Sequence, residues 1–154
     1  MPVISIGLTE TPIDASAVLQ AVEHSGCGAT VLMTGQVRDH HEGRAVDRLE
    51  YQAYTEMAEN ELSGVAAETV EKWPDVRIAA VHRLGELSVG EVSVAVATAA
   101  AHRDEAFDAC RFVVDQLKAR LPIWKKEFGP GGEVWQEDRP LPTSGPGGED
   151  EESR

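Results

Sequence analysis

The sequence predicts an α+β fold in a single domain, with a mostly antiparallel sheet and about three helices. A chain of 154 residues with 42% hydrophobic residues is long enough to bury the core of one ordinary domain. Apolar residues recur at helical spacing in three segments, whereas six shorter segments have the pattern of strands. Strands and helices mix without a strict βαβ repeat, which favours an antiparallel sheet over a parallel one.

The six predicted strands are short and lie along the whole chain. They are residues 3–8, 29–37, 49–54, 76–82, 91–98 and 123–128. Residues 29–37 are rich in β-formers almost without interruption, which is typical of a central strand. Val89-Gly90 is a turn signal, so residues 91–98 are expected to return as a hairpin partner of the preceding strand.

The three predicted helices are residues 11–24, 56–73 and 104–121. Asp14 marks the start of the first helix, and Asp104 is the expected N-cap of the third. Pro74 and Pro122 end the second and third helices, because the proline ring disfavours helical geometry at the residue before it. One face of the third helix is expected to be buried; it carries Phe107, Cys110, Val113, Val114, Leu117 and Leu121.

The stretch from Lys118 to Glu127 joins the end of the third helix to a strand. Lys118 lies one step round from Leu117, at the edge of the apolar stripe. In an extended strand Ile123, Lys125 and Glu127 share one face, and Trp124, Lys126 and Phe128 share the other. Lys118 and Lys125 would then converge at one corner. On this stretch alone, ordinary surface lysines near a helix end are the simpler interpretation.

Composition excludes several classes of protein. The formal net charge of −13 argues against a general nucleic-acid binder, which needs a basic surface to displace counterions. No apolar run approaches the length of a membrane span, and no signal-peptide pattern is present, so the cytoplasm is the expected location. The two cysteines, Cys27 and Cys110, form neither a disulfide framework nor a CxxC motif. Cys110, on the apolar helix face, is expected to be a buried structural thiol.

Cationic residues occur at the ends of several predicted elements. Arg38 and the pairs His82-Arg83 and His102-Arg103 join Lys118 and Lys125 in this respect. Each one alone is more simply a solvated loop residue. Together they predict an anion pocket, because arginine forms forked hydrogen bonds to phosphate and a helix N-terminus beside His102 adds backbone donors.

Other motifs are weaker. His40-His41, flanked by Asp39 and Glu42, could supply metal ligands, but adjacent histidines seldom face one ion and no second cluster has ligand spacing. We therefore expect no metal site and no bound cofactor. Residues 129–132 are glycine-rich but lack the Lys-Ser/Thr of a phosphate-binding loop.

Several motifs, in this order and spacing, resemble the large, catalytic subunit of molybdopterin synthase, the MoaE family. The resemblance covers roughly residues 3–137. The motifs are Thr34-Gly35-Gln36-Val37-Arg38, Leu49-Glu50-Tyr51-Gln52-Ala53-Tyr54, His82-Arg83-Leu84-Gly85-Glu86-Leu87, Ala101-His102-Arg103, the stretch from Lys118 to Glu127, and Trp135. The loop around His40–Arg44 and the acidic tail are the parts that depart from the family pattern.

The resemblance implies an α/β hammerhead fold and a sulfurtransferase of molybdenum cofactor biosynthesis. Such an enzyme takes sulfur from the C-terminal thiocarboxylate of a small ubiquitin-like carrier, a MoaD-like subunit, and transfers it to cyclic pyranopterin monophosphate (precursor Z). The large subunits form a homodimer with a carrier at each end, which makes a heterotetramer. By resemblance Lys118 and Lys125 are catalytic. The substrate-binding residues implied are Gln36, Val37, Arg38, His102, Arg103, Lys126 and Glu127.

A second interpretation belongs to another class of protein. The same cations could serve a non-catalytic module that binds an anionic nucleotide-like ligand or the C-terminal tail of a partner. Lys118 and Lys125 distinguish the two, because a binding module tolerates their conservative replacement and proton transfer does not.

Residues 1–138 are expected to form the domain, and residues 139–154 an acidic tail. The tail is rich in proline and glycine and has too little apolar surface to fold, so it is expected to be disordered.

Deletion of residues 139–154 should leave folding intact, because the tail has nothing that it can bury to advantage. Thermal unfolding of the truncated and full-length proteins measures this. A melting temperature many degrees lower in the truncated protein would contradict the prediction by showing that the tail packs on the domain.

Overall fold

A computed structural model describes residues 3–137 of the chain. Over this range three helices form, α1 (Ala15–Val22), α2 (Thr55–Lys72) and α3 (Arg103–Arg120). The strands are β1 (Val3–Thr9), β2 (Ala29–Gln36), β3 (His40–His41), β4 (Arg44–Ala45), β5 (Arg48–Ala53), β6 (Arg77–Arg83), β7 (Gly85–Ser88), β8 (Val92–Ala100), β9 (Ile123–Gly129) and β10 (Gly132–Glu137). The predicted α+β class with about three helices is confirmed. The predicted tail lies outside the described residues.

Two four-stranded sheets organise the fold. Their strand orders are β1-β6-β8-β2 and β10-β9-β5-β7, and the short strands β3 and β4 pair with each other. β1 and β6 are parallel, whereas the other pairings are antiparallel. β8 pairs antiparallel with β6, as the turn signal at Val89-Gly90 predicts. None of the helices in the described part of the chain is long and apolar enough to cross a membrane.

The first sheet is covered on both faces. Successive side chains of a strand point to opposite faces, so Ile78 and Ala80 pack into the main core, whereas Ala79 packs into a smaller cluster on the other side. That smaller cluster includes Val18 and Val22 of α1. The main core contains the buried faces of α2 and α3. The functional groups described below lie where this main core meets the second sheet.

The prediction that residues 29–37 form a central strand is wrong. β2 lies at the end of its sheet and pairs with β8. None of its residues is fully buried. Its uninterrupted apolar character has another cause: Val31 and Met33 pack on the main core, while Leu32 packs on the cluster with α1. A continuous apolar run therefore indicates that both faces of a strand are packed against other residues. It does not indicate that the strand lies between two other strands.

Two predictions for the third helix are also wrong. Phe107 is 60% exposed, because the buried stripe passes one helical step away from it. That stripe is Ala106, Ala109, Cys110, Val113 and Leu117. The N-cap is His102 and not Asp104, which lies in the first turn, where a carboxylate interacts favourably with the helix dipole.

The polar loop after β2 contains a small hairpin, formed by β3 and β4, that packs directly on β9. The amide of Asp47 donates to the carbonyl oxygen of Phe128 at 2.7 Å. A Cβ atom added at Gly129 would collide with the carbonyl oxygen of Ala45. Main-chain contacts thus hold the hairpin against the end of β9.

Replacing Gly129 by alanine should destabilise the protein by about 2 kcal/mol, because the added methyl group forces hairpin and strand apart. Gly131→Ala is the matched control, since a Cβ at Gly131 meets open space. Urea denaturation of both variants measures the free energy of unfolding. Equal stabilities of the two variants would show that the hairpin does not pack closely on Gly129.

Candidate active site

The corner between α3 and β9 places two lysines near each other. Leu121 has extended dihedral angles (φ −72°, ψ 129°), as expected for a residue before proline. The chain therefore passes from the last turn of α3 directly into β9. Lys118 lies on that last turn, and Lys125 is the third residue of β9.

A cavity of about 320 Å³ lies beside this corner. Its walls come from β2, β8, the end of α3 and the start of β9. Arg38, Lys118 and Lys125 all line it, so the structure brings together cations from three separate parts of the chain. Their convergence, which the sequence predicts, is observed.

The cavity combines these cations with an apolar wall. Among the residues that line it are Val94, Val96, Val114 and Leu117, and none of the lining residues in the described chain is acidic. Positive charge beside apolar walls is weakly screened, so its interaction with an anion is stronger than at an open surface. The site is therefore built to accept a negatively charged molecule.

The predicted division of β9 into two faces is confirmed. Ile123 and Lys125 line the cavity, and the Glu127 side chain, on the same face, is only 3% exposed. Lys126 points the other way, where its Nζ lies 2.8 Å from Glu133 Oε1 and 4.9 Å from the centre of the Trp135 ring. The structure thus places Lys126 apart from the cavity.

The remaining residues expected after β2 lie close to Arg38. Gln36 lines the cavity, and its Nε2 donates to Thr34 Oγ1 at 2.6 Å. Val37 is buried at 4% exposure. A second, smaller cavity adjoins the first and shares four lining residues with it, Gln36, Arg38, Tyr51 and Lys125; Val37 and Glu127 also line it.

His102 and Arg103 do not line the cavity within the chain. They lie at the start of α3 and are exposed, whereas Lys118 lies at its other end. At 1.5 Å per residue, the helix separates His102 from Lys118 by about 24 Å. The expectation that all five cations face one pocket of the same chain is wrong for these two residues.

Two more residues line the cavity: His82, which belongs to the anion pocket that the sequence predicts, and Tyr51, which was not predicted for the site. Their rings meet edge to face at 5.2 Å, and His82 Nδ1 donates to the carbonyl oxygen of Arg83 at 2.9 Å. A carbonyl only accepts, so this bond places the hydrogen on Nδ1. The feature that places Tyr51 at the site is the register between β5 and β9, in which Tyr51 is paired with Lys125.

Arg83, expected to belong to the anion pocket, is held elsewhere. Its Nη1 lies 3.1 Å from Glu91 Oε2, and the side chain is 11% exposed. The Ser88 backbone N–H and the Arg83 guanidinium together lower the pKa of the Glu91 carboxyl. Arg83 therefore stabilises the turn between β7 and β8 through its contact with Glu91.

The adjacent histidines diverge. His40 Nδ1 lies 2.8 Å from Asp39 Oδ1, and this hydrogen bond lowers the pKa of Asp39, whereas His41 Nδ1 lies 2.6 Å from Glu127 Oε2. No group of three or more metal-ligating side chains clusters among the described residues.

Neither cysteine lines the cavity. Cys110 is 4% exposed, and burial raises the pKa of its thiol. Cys27 is half-buried and packs on the cluster with α1. The buried Cys110 is therefore a poor nucleophile, since the thiolate is the reactive form.

Comparison with known proteins identifies the family. The model for the MoaE protein family matches residues 8–120. The chain belongs to the MoaE family. It is 43% identical over 133 residues to molybdopterin synthase catalytic subunit 1 of Mycobacterium tuberculosis, an alignment that covers 86% of this chain and 90% of that protein. It is 41% identical over 141 residues to the Pyrococcus abyssi molybdopterin synthase catalytic subunit, with 90% and 95% covered.

The fold agrees with this membership. The crystal structure of molybdopterin synthase from Staphylococcus aureus matches with a TM-score of 0.80 and 35% sequence identity, and the match covers 84% of this chain and 95% of that one. The MoaE match includes Arg38 and Lys118 and ends at Arg120, before β9. Within this MoaE chain, the position of Lys125 in the site therefore rests on the geometry described above.

Proposed function

We propose that this chain is the catalytic subunit of a molybdopterin synthase. It transfers sulfur from the C-terminal thiocarboxylate of a small carrier protein to cyclic pyranopterin monophosphate and so forms the dithiolene of molybdopterin. The observation that carries this proposal is the convergence of Arg38, Lys118 and Lys125 on one cavity, which no acidic residue of the described range 3–137 lines.

This charge arrangement suits each stage of the reaction. The pterin substrate carries a phosphate, the incoming thiocarboxylate is an anion, and opening of the cyclic phosphate develops further negative charge. Cations that are already in place before the reaction stabilise such charge without reorganisation. The cavity, at about 320 Å³, has the size of a small-molecule site.

The residues take separate roles in this proposal. Arg38, with Gln36 and Val37 beside it, binds the phosphate, because guanidinium forms forked hydrogen bonds to phosphate oxygens. Of Lys118 and Lys125, one orients the thiocarboxylate carbonyl and the other gives or takes a proton. Tyr51 and His82 form the wall behind them.

His102 and Arg103 bind substrate in this proposal from a second copy of the chain. Within one chain they lie about 24 Å along α3 from Lys118, which is too far for a shared small ligand. In a homodimer the start of one α3 can approach the cavity of the other copy. Lys126 lies on the outer face of β9, where it pairs with Glu133, so it is near the site without lining the cavity.

The partner is a small ubiquitin-like carrier, MoaD-like, whose C-terminal glycine enters the cavity. Two large subunits and two carriers make the proposed heterotetramer. The proposed compartment is the cytoplasm, where reducing conditions keep thiols such as Cys27 and Cys110 free.

Neither cysteine carries the transferred sulfur in this proposal, because the carrier supplies it. A double variant with Cys27→Ala and Cys110→Ala should keep most of its turnover when thiocarboxylated carrier is provided. The assay is conversion of precursor by the folded variant. Near-complete loss of conversion would show that a persulfide on this chain takes part.

Lys118→Ala or Lys125→Ala should slow single-turnover conversion about 100-fold, since each removes a group that stabilises the transition state. The free energy of unfolding should change by no more than about 1 kcal/mol, because a partly exposed lysine contributes little to stability. Lys126→Ala is the matched control and should be milder, because Lys126 lies on the opposite face of β9.

Arginine replacements separate catalysis from binding. Lys118→Arg and Lys125→Arg restore positive charge but cannot exchange a proton, since guanidinium stays protonated at any working pH. Arg38→Ala should chiefly weaken precursor binding. Nearly wild-type rates in both arginine variants would refute the acid–base role and favour the alternative of a module that only binds an anion.

A further inference from the structure

The hairpin of β3 and β4 presents a histidine and an arginine side chain on one face. Its two turn residues, Glu42 and Gly43, have φ angles of 52° and 79°, as a two-residue type I′ turn requires. This turn fixes the register, so His41 pairs with Arg44 and His40 with Ala45. Directly paired residues point to the same side of an antiparallel ribbon. His41 and Arg44 therefore reach one target together.

That target is the carboxylate of Glu127 on β9. His41 Nδ1 donates to Oε2 at 2.6 Å, and Arg44 Nη2 forms an ion pair with Oε1 at 3.0 Å. The Glu127 side chain is 3% exposed. A buried carboxylate is stable only when charges and hydrogen bonds compensate its lost hydration, and here each oxygen has such a partner. The hairpin thus fixes the rotation of this carboxylate.

The same carboxylate lies next to Lys125. Lys125 Nζ is 4.0 Å from Glu127 Oε2, the oxygen that also accepts from His41. This distance is too long for a hydrogen bond, so the interaction is an electrostatic attraction across a gap. Lys125 lines both the main cavity and the smaller one, in which Glu127 and His41 also take part. The orientation of Glu127 therefore affects where the ammonium group lies.

We propose that His41 and Arg44 are positioning residues of the active site. By holding the Glu127 carboxylate, they keep its Oε2 at 4.0 Å from Nζ of Lys125, which lines the main cavity. Glu127 in turn acts through Lys125 and does not contact the anionic substrate. This inference rests on the proposed function for its effect on rate, while its effect on Lys125 is independent of the reaction.

The first test removes the hydrogen-bond donor that His41 offers to Glu127 and then restores a donor at the same position. His41→Leu should lower the single-turnover rate at saturating precursor about tenfold, since small misplacements of a catalytic group are costly. The precursor concentration for half-maximal rate should change less than about twofold, because Arg38 is untouched. His41→Asn should recover most of the rate, because its amide nitrogen is attached to Cγ, as Nδ1 is. His40→Leu is the matched control and should retain the wild-type rate, because His40 contacts Asp39 and not Glu127.

The second test asks whether the effect passes through Lys125. In a Lys125→Ala background, His41→Leu should cause no further loss of rate, because residues that act through one another are not additive. Arg44→Gln should lower the rate in the same direction as His41→Leu, and it carries the test if His41→Leu does not fold. Wild-type rates in both folded variants, or failure of His41→Asn to recover the rate, overturn the proposal.

The third test needs no substrate. Competitive acetylation with acetic anhydride, followed by mass spectrometry, compares Lys125 with Lys126 in the same strand. In His41→Leu the ratio of Lys125 to Lys126 acetylation should fall about threefold, because a released carboxylate moves closer and holds the ammonium proton more firmly. An unchanged ratio overturns the positioning role. If the wild-type protein converts no precursor, the proposed function fails, and this ratio still decides the inference.

Discussion

The site depends on the corner at Pro122. Pro122 is fully buried, and its carbonyl oxygen accepts the amide of Tyr54 at 3.2 Å, so the corner is tied to the start of α2. Proline prevents α3 from continuing, and β9 begins at once between β5 and β10. The last turn of a packed helix and an interior strand of a sheet are both rigid elements. Lys118 and Lys125 are therefore fixed relative to each other by the backbone and not by flexible loops.

Local features of the sequence were sufficient to predict this corner. Helical spacing, a proline and the alternation of a strand depend on neighbours in the chain, so the end of α3 and the two faces of β9 follow from them. Pairing between strands depends on distant residues, and this is why the edge position of β2 was missed. The contact of His41 with Glu127 was missed for the same reason, since 86 residues separate the two.

The case of His102 and Arg103 is different. The family resemblance suggests a role for these residues but does not say which chain supplies them. A helix rises about 1.5 Å per residue, so the predicted helix 104–121 already separates these two residues from Lys118 by more than about 20 Å. The sequence thus contained the information that they cannot share one pocket of a single chain. Phe107 shows the opposite situation, because its exposure depends on which neighbouring residues form the contact with the sheet.

Local and global charge act at different ranges in this protein. The chain carries a formal net charge of −13, yet the main cavity is lined by cations and by no acidic residue of the described chain. At physiological salt, charges more than about 8 Å apart are largely screened at an exposed surface. An anion near the cavity therefore responds mainly to the charges close to it, among them Arg38, Lys118 and Lys125. The overall acidity disfavours polyanions, which contact a large surface, more than it disfavours a small anion.

The close approach of Gly129 to the carbonyl of Ala45 has a consequence for how this fold can change. The hairpin is anchored by main-chain atoms, which every residue except proline supplies, and Gly129 must stay small. Side chains on its inner face can then be exchanged while the backbone beside the cavity keeps its place. The loop is in this sense a module for tuning the site: different residues at positions 41 and 44 change what holds Glu127, the neighbour of Lys125, without any redesign of the sheets.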